Sequence, residues 1–164
     1  MNQYYRTATL SDALYVAKHM REEDRREVEG LGYHAGILPV LIMESNDPVV
    51  FYDKDRPDQI MGVAGICPDQ KDPNAGVIWM LCTPHIANKP IKFIKEARKW
   101  IAESEVGYKY LWNLADARNH LHHRFLRMMG FKSLKTQHPA PYYIPYLEIV
   151  RLCAYPPRPS QQQP

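Results

Sequence analysis

The chain has 164 residues, 45% of them hydrophobic, 24% charged and 11% aromatic, enough to bury a sizeable core as one domain over 1–154 and too short for two large ones. Lys and Arg number 21 against 18 Asp and Glu, a net charge of +3 that is too even for specific nucleic-acid binding through a concentrated basic surface. No stretch approaches the roughly 20 apolar residues needed to span a bilayer, and Met1-Asn2-Gln3-Tyr4-Tyr5-Arg6 lacks the apolar centre of a secretion signal, so no membrane is expected.

Tyr4 to Thr9 reads as a short strand, and the oxygens of Ser11 and Asp12 supply a helix cap. Leu14, Ala17 and Met20 keep helical spacing, and the mixed charges from Arg21 to Glu27 continue that helix as a solvated face until Gly30 and Gly32. Ala35 to Met43 reads as a second helix interrupted near Pro39, followed by a turn at Ser45-Asn46-Asp47-Pro48. Val49 to Tyr52, Ile60 to Cys67 and Val77 to Cys82 are β-branched or aromatic runs split by turns, which predicts three consecutive antiparallel strands.

Ile91, Ile94, Ala97, Trp100 and Ile101 mark the clearest amphipathic helix. A strand from Tyr110 to Ala115, buried on both faces, then a helix from Leu121 to Met129 closed by Gly130, and strands at Phe131 to Lys135 and Tyr146 to Leu152 complete the order. The Pro- and Gln-rich residues 155–164 read as an extended tail able to dock on a partner. The expected fold is α+β, in the order β α α β β β α β α β β, with an antiparallel first half passing into a mixed second half. Such a sheet offers a ligand crevice where parallel strands part.

Cys67, Cys82 and Cys153 are widely spaced and odd in number, and read as small buried hydrophobes in a reducing compartment. Trp79, Trp100 and Trp112 read as core. His120, His122 and His123 are neighbours on one helix and point different ways, which predicts no metal site. Arg118, Arg124 and Arg127 read as a solvated basic helix face rather than a phosphate site. Asn119 fits the N-cap of the helix that follows it.

The residues Leu111-Trp112-Asn113, Asp116-Ala117-Arg118-Asn119, His122, Arg124-Phe125-Leu126 and Gly130-Phe131 form a motif, with Trp79-Met80-Leu81-Cys82-Thr83-Pro84 upstream and Met20-Arg21-Glu22-Glu23-Asp24, Glu27 and Gly30 earlier. In this order it resembles the GNAT superfamily of acyl-CoA-dependent N-acyltransferases, and more closely the GNAT-like proteins of tailed bacteriophages, including the internal virion protein A family of T7-like podophages. The resemblance spans most of residues 4–152. It implies a mixed, mostly antiparallel seven-stranded sheet with helices on both faces and a splayed central strand pair. It also implies acetyl-CoA or CoA as cofactor if the site functions, with Leu81, Cys82, Thr83, Lys89, Asn113 and Asn119 as candidate contacts. The region of Arg21, Glu22, Asp24, Arg25 and Glu27 would then face the acceptor groove.

Three departures weigh against ordinary acetyl transfer. The turn Pro84-His85-Ile86-Ala87-Asn88-Lys89-Pro90 has no glycine to wrap phosphates with backbone N–H groups, although Lys89 and a helix start could attract an anion. The position that many relatives give to a Tyr acid is Leu126, and no carboxylate lies between Asn74 and Pro90, which leaves His85 as the candidate base. The leading expectation is therefore a non-catalytic phage protein working by contacts with other virion proteins such as portal, core or tail components. It would sit in the virion or the host cytoplasm, with a homo-oligomer possible. The alternative is an acetyl-CoA-dependent N-acetyltransferase.

Overall fold

In the computed structural model, which describes residues 4–154, a seven-stranded sheet runs in the order β1-β2-β3-β4-β5-β7-β6. The strands are β1 Tyr5–Thr7, β2 Asn46–Asp53, β3 Arg56–Pro68, β4 Ala75–Cys82, β5 Tyr110–Asp116, β6 Lys132–Gln137 and β7 Tyr146–Leu152. Every neighbouring pair is antiparallel except β4 and β5. This is the expected α+β sheet with its one parallel pair. Strand alternation sends Phe51, Ile66, Ile78 and Leu111 to one face and Val50, Val63, Trp79 and Leu81 to the other, which gives each face its own buried cluster.

The first face is covered by α4 (Pro90–Ser104) and α5 (His120–Met128), whose Phe93, Ala97, Trp100, Ile101 and Leu126 fill one cluster. The second face is covered by α1 (Leu10–His19), α2 (Glu22–Gly30) and α3 (Leu38–Glu44), through Ala13, Val16, Val28, Leu38 and Ile42. Gly30 is small because Tyr146 fills the space where its side chain would go, and the Tyr146 hydroxyl donates to the Glu27 carbonyl at 2.8 Å, tying α2 to β7.

Several local expectations are corrected. The first helical stretch is two helices, because Met20 and Arg21 take extended backbone angles (ψ 133° and 151°) and α2 restarts at Glu22. The cap of α1 is Thr9, not Ser11 or Asp12: its hydroxyl accepts from the Asp12 N–H while the Asp12 carboxylate accepts from the Thr9 N–H. Pro39 does not interrupt a helix; it sits in the first turn of α3, after a short 3-10 turn at Ala35–Ile37. The residues 45–48 are not a free turn, since β2 begins at Asn46.

Trp79 and Trp100 are core, whereas Trp112 is half-buried with its indole N–H donating to Asp69 at 2.7 Å. Cys82 is buried and Cys67 and Cys153 are only partly so. No helix among the described residues is long and apolar enough to cross a membrane. The tail at 155–164 lies outside the described residues.

Candidate active site in the gap between two parallel strands

Pairing of β4 with β5 covers Ala75 with Tyr110, Gly76 with Leu111 and Val77 with Trp112, and then stops. Beyond it the strands part. Asn113 holds the fork: its Nδ2 donates to the Ile78 carbonyl at 2.6 Å, and its Oδ1 accepts the Leu114 N–H at 2.7 Å, where a continued ladder would have joined those two backbone groups. Thr83 still donates its N–H to Met61 on β3, so the alternation of the strand turns the N–H and C=O of Met80 and Cys82 toward the gap.

The gap opens a cavity of about 330 Å³ that passes through the sheet. On one side it is lined by Phe125 and Leu126 of α5 with Met129, Phe131 and Ile101, and on the other by Val28, Leu31, Ile37 and Leu41. Its titratable lining groups include Glu27, Glu44 and His122, and no Lys or Arg among the described residues lines it. A second cavity of about 80 Å³, lined by Arg21, Met80, Cys82, Ile86, Phe93, Leu121, His122 and Phe125, shares the walls formed by Met80, His122 and Phe125.

The break between α1 and α2 aims a charged cluster at the mouth of the gap. The Arg21 N–H donates to the Cys82 carbonyl at 2.9 Å and the Cys82 N–H donates to Asp24 Oδ2 at 2.7 Å, so this turn pairs with the last residue of β4 much as a strand would. Asp24 is only 1% exposed, which corrects the expectation that residues 21–27 form a solvated face. Arg21 Nε lies 2.9 Å from Asp24 Oδ1, off the hydrogen-bonding axis, so the contact is an ion pair rather than an aligned bond. Burial pushes the Asp24 carboxyl above its ordinary value despite Arg21.

One turn further along α2, Glu27 Oε1 lies 2.9 Å from His122 Nδ1 and also accepts the Asp116 N–H at 3.0 Å. Burial favours the neutral form of His122, but the Glu27 carboxylate outweighs it and the imidazole stays protonated to a higher pH than usual. Burial and the charge of Asp24 push the Cys82 thiol up to about 12, so it is a packing group and not a nucleophile.

The sequence-derived candidates fall in different places. Leu81 and Asn113 line the larger cavity and Cys82 the smaller. Thr83 is fully buried with its hydroxyl donating to the Ile60 carbonyl at 2.6 Å, and it caps the 3-10 turn Pro84–Asn88. Lys89 lies at the start of α4 with its ammonium 2.8 Å from both Asp53 and Asp55. His85 lines neither cavity; its Nε2 is 3.4 Å from the Tyr15 hydroxyl.

Asn119 caps α5 by accepting the His122 N–H at 3.2 Å, and its buried Nδ2 has no partner among the described residues. Leu126 lines the larger cavity. The charged residues at the site, Glu27, Asp24 and His122, come from segments that read as solvated helix faces, and only the resemblance had set Arg21 to Glu27 beside an acceptor groove. No group of three or more His, Cys, Asp or Glu able to hold a metal occurs among the described residues.

No family profile matches the sequence, and no curated protein matches it. Solved structures do match in shape. An acetyltransferase of the GNAT family from Streptococcus pneumoniae superposes with a TM-score of 0.64 at 15% identity, covering 92% of this chain and 98% of the other. AAC(6')-Ib in complex with ribostamycin and coenzyme A gives 0.65 at 16% identity over 91% and 92%. The yncA protein of Salmonella typhimurium with its cofactor acetyl-CoA gives 0.61 at 11% identity over 98% and 99%. The chain therefore has the fold of the GNAT acetyltransferases.

Proposed function

We propose that the chain is an acyl-CoA-dependent N-acyltransferase whose thioester and amine meet in the gap between β4 and β5. The observation that carries this reading is the fork after Val77 and Trp112, which opens an apolar slot of about 330 Å³ at the carboxyl ends of two parallel strands. The likeness to acetyltransferases, two of them holding CoA or acetyl-CoA, supports it. The role in virion assembly has no support from these comparisons.

The site fits one end of the cofactor better than the other. The slot and the backbone N–H and C=O of Met80 suit the amides and thioester of a pantetheine arm. At the phosphate end the 3-10 turn carries no glycine, the His85 and Ile86 N–H groups are engaged by Thr83, and Lys89 is paired with Asp53 and Asp55. Binding therefore rests on the slot. On the acceptor side, Glu27 and Glu44 with no lining Lys or Arg suit a cationic amine.

Calorimetric titration of the full chain with acetyl-CoA, CoA and acetyl-pantetheine tests the reading. Saturable binding is expected, abolished by Leu114→Trp, which fills the slot. Acetyl-pantetheine should bind within about tenfold of acetyl-CoA, because the phosphates add little. No heat with any of the three would overturn the proposal.

A further inference from the structure

We infer that His122, held by Glu27, is the acid that delivers a proton to the departing thiolate. This rests on the acyltransferase reading and adds to it a residue that departs from the pattern expected of the fold. His122 and Leu126 lie one turn apart on α5, so both side chains stand on the same face, and both line the larger cavity. Leu126 has no proton to give. His122 does, and it is also in the wall where the two cavities meet beside Met80 and Cys82.

The ring is oriented for the task. Its Nδ1 is engaged by Glu27 Oε1, and its Nε2 has no protein partner among the described residues. The groups that face it are Glu27, Asp24 and Arg21 from α2 and its cap, Cys82 from β4 and, on α5 itself, the stacked ring of His123 at 6.4 Å. Two carboxylates against one guanidinium hold the imidazolium form. An ion pair so little exposed costs desolvation energy that a hydrophobic pair would avoid, so it adds little net stability while keeping a proton donor in the cavity wall.

The proton inventory closes within this pair. The amine, its ammonium proton already lost to solvent, attacks the thioester carbon through its nitrogen lone pair and a C–N bond forms. As the intermediate collapses, the C–S electron pair leaves on sulfur, which takes the proton from His122 Nε2. The surplus proton on nitrogen then passes to the neutral imidazole and restores the cation, so the net products are an amide and a free thiol.

The test is single-turnover thiol release from acetyl-CoA, with enzyme in excess and hydroxylamine as a small nucleophile, corrected for the enzyme-free rate. Wild-type release should fall at high pH as His122 loses its proton. His122→Gln should bind acetyl-CoA within about twofold by calorimetry, release thiol about a hundredfold more slowly and lose the alkaline limb. Adding Leu126→Tyr to it should restore release, which a purely structural role would not predict. Glu27→Gln should move the alkaline limb to lower pH, and it decides the matter if His122→Gln does not fold.

Equal release by wild type and His122→Gln, or no release by a wild type that binds acetyl-CoA, would overturn the acid role and leave the binding reading standing. Failure of the wild type to bind acetyl-CoA would overturn both.

Discussion

Asp24 shows how much one side chain settles here. It accepts the Cys82 N–H, faces the Arg21 guanidinium and is almost wholly buried, so removing it leaves a partly buried cation and a buried donor without their oxygens. Asp24→Ala should cost about 3 kcal/mol or more in chemical denaturation, and Asp24→Asn less, because an amide oxygen still accepts from Cys82. A loss under about 1 kcal/mol would show that the cluster is solvated after all.

Nothing in the run Arg21-Glu22-Glu23-Asp24-Arg25-Arg26-Glu27 separates Asp24 from its neighbours, since alternating charges read as a wet helix face. Its burial follows from two extended residues, Met20 and Arg21, that turn α2 toward β4. His122 stands in the motif that carries the resemblance, but with no role attached to it; the placement of Glu27 is what gives it one.

At the scale of elements, most of the fold was legible because the strands and the two later helices carry their own period. Gly130, with φ at +87°, ends α5 as the sequence implies. The start of α1 was less legible, because Ser11 and Asp12 look like caps while the working cap is Thr9, with Asp12 as its reciprocal partner.

Asp12 also pairs with Arg6, at 2.8 Å and 3.0 Å. Burial works to raise its carboxyl, yet Arg6 and Thr9 outweigh it and the net shift is downward. A carboxyl lowered in the folded state stabilises above its unfolded value and loses that contribution as pH falls through the folded one. Asp12→Ala should therefore lower stability by about 1–2 kcal/mol near neutral pH. The gap between variant and wild type should close in strongly acidic urea titrations. A gap that persists there would mean that packing, not the charged cap, is what the substitution removes.

The whole molecule explains why the site was harder to read than the fold. Spacing along a chain locates strands, but where a parallel pair stops pairing depends on Asn113 reaching Ile78, a contact across 35 residues. β4 and the position of Leu126 offer no proton-transfer group, and the turn after β4 offers only His85, which lines neither cavity. Glu27 and His122 stand on α2 and one turn before Leu126 on α5, brought together only when helices from opposite faces close on the same fork.

A passage that crosses the sheet also bears on whether both reactants can be bound at once. A thioester seated against α5 and an amine arriving past α2 and α3 would approach one carbon from opposite layers, so neither has to leave before the other enters. The buried Cys82, with its thiol pushed up to about 12, offers no stopping place for the acyl group in between. Initial-rate measurements over a grid of both reactants should therefore give double-reciprocal lines that intersect. Parallel lines would instead require a covalent carrier, for which the Cys67 thiol in the wall of the larger cavity is the residue to replace.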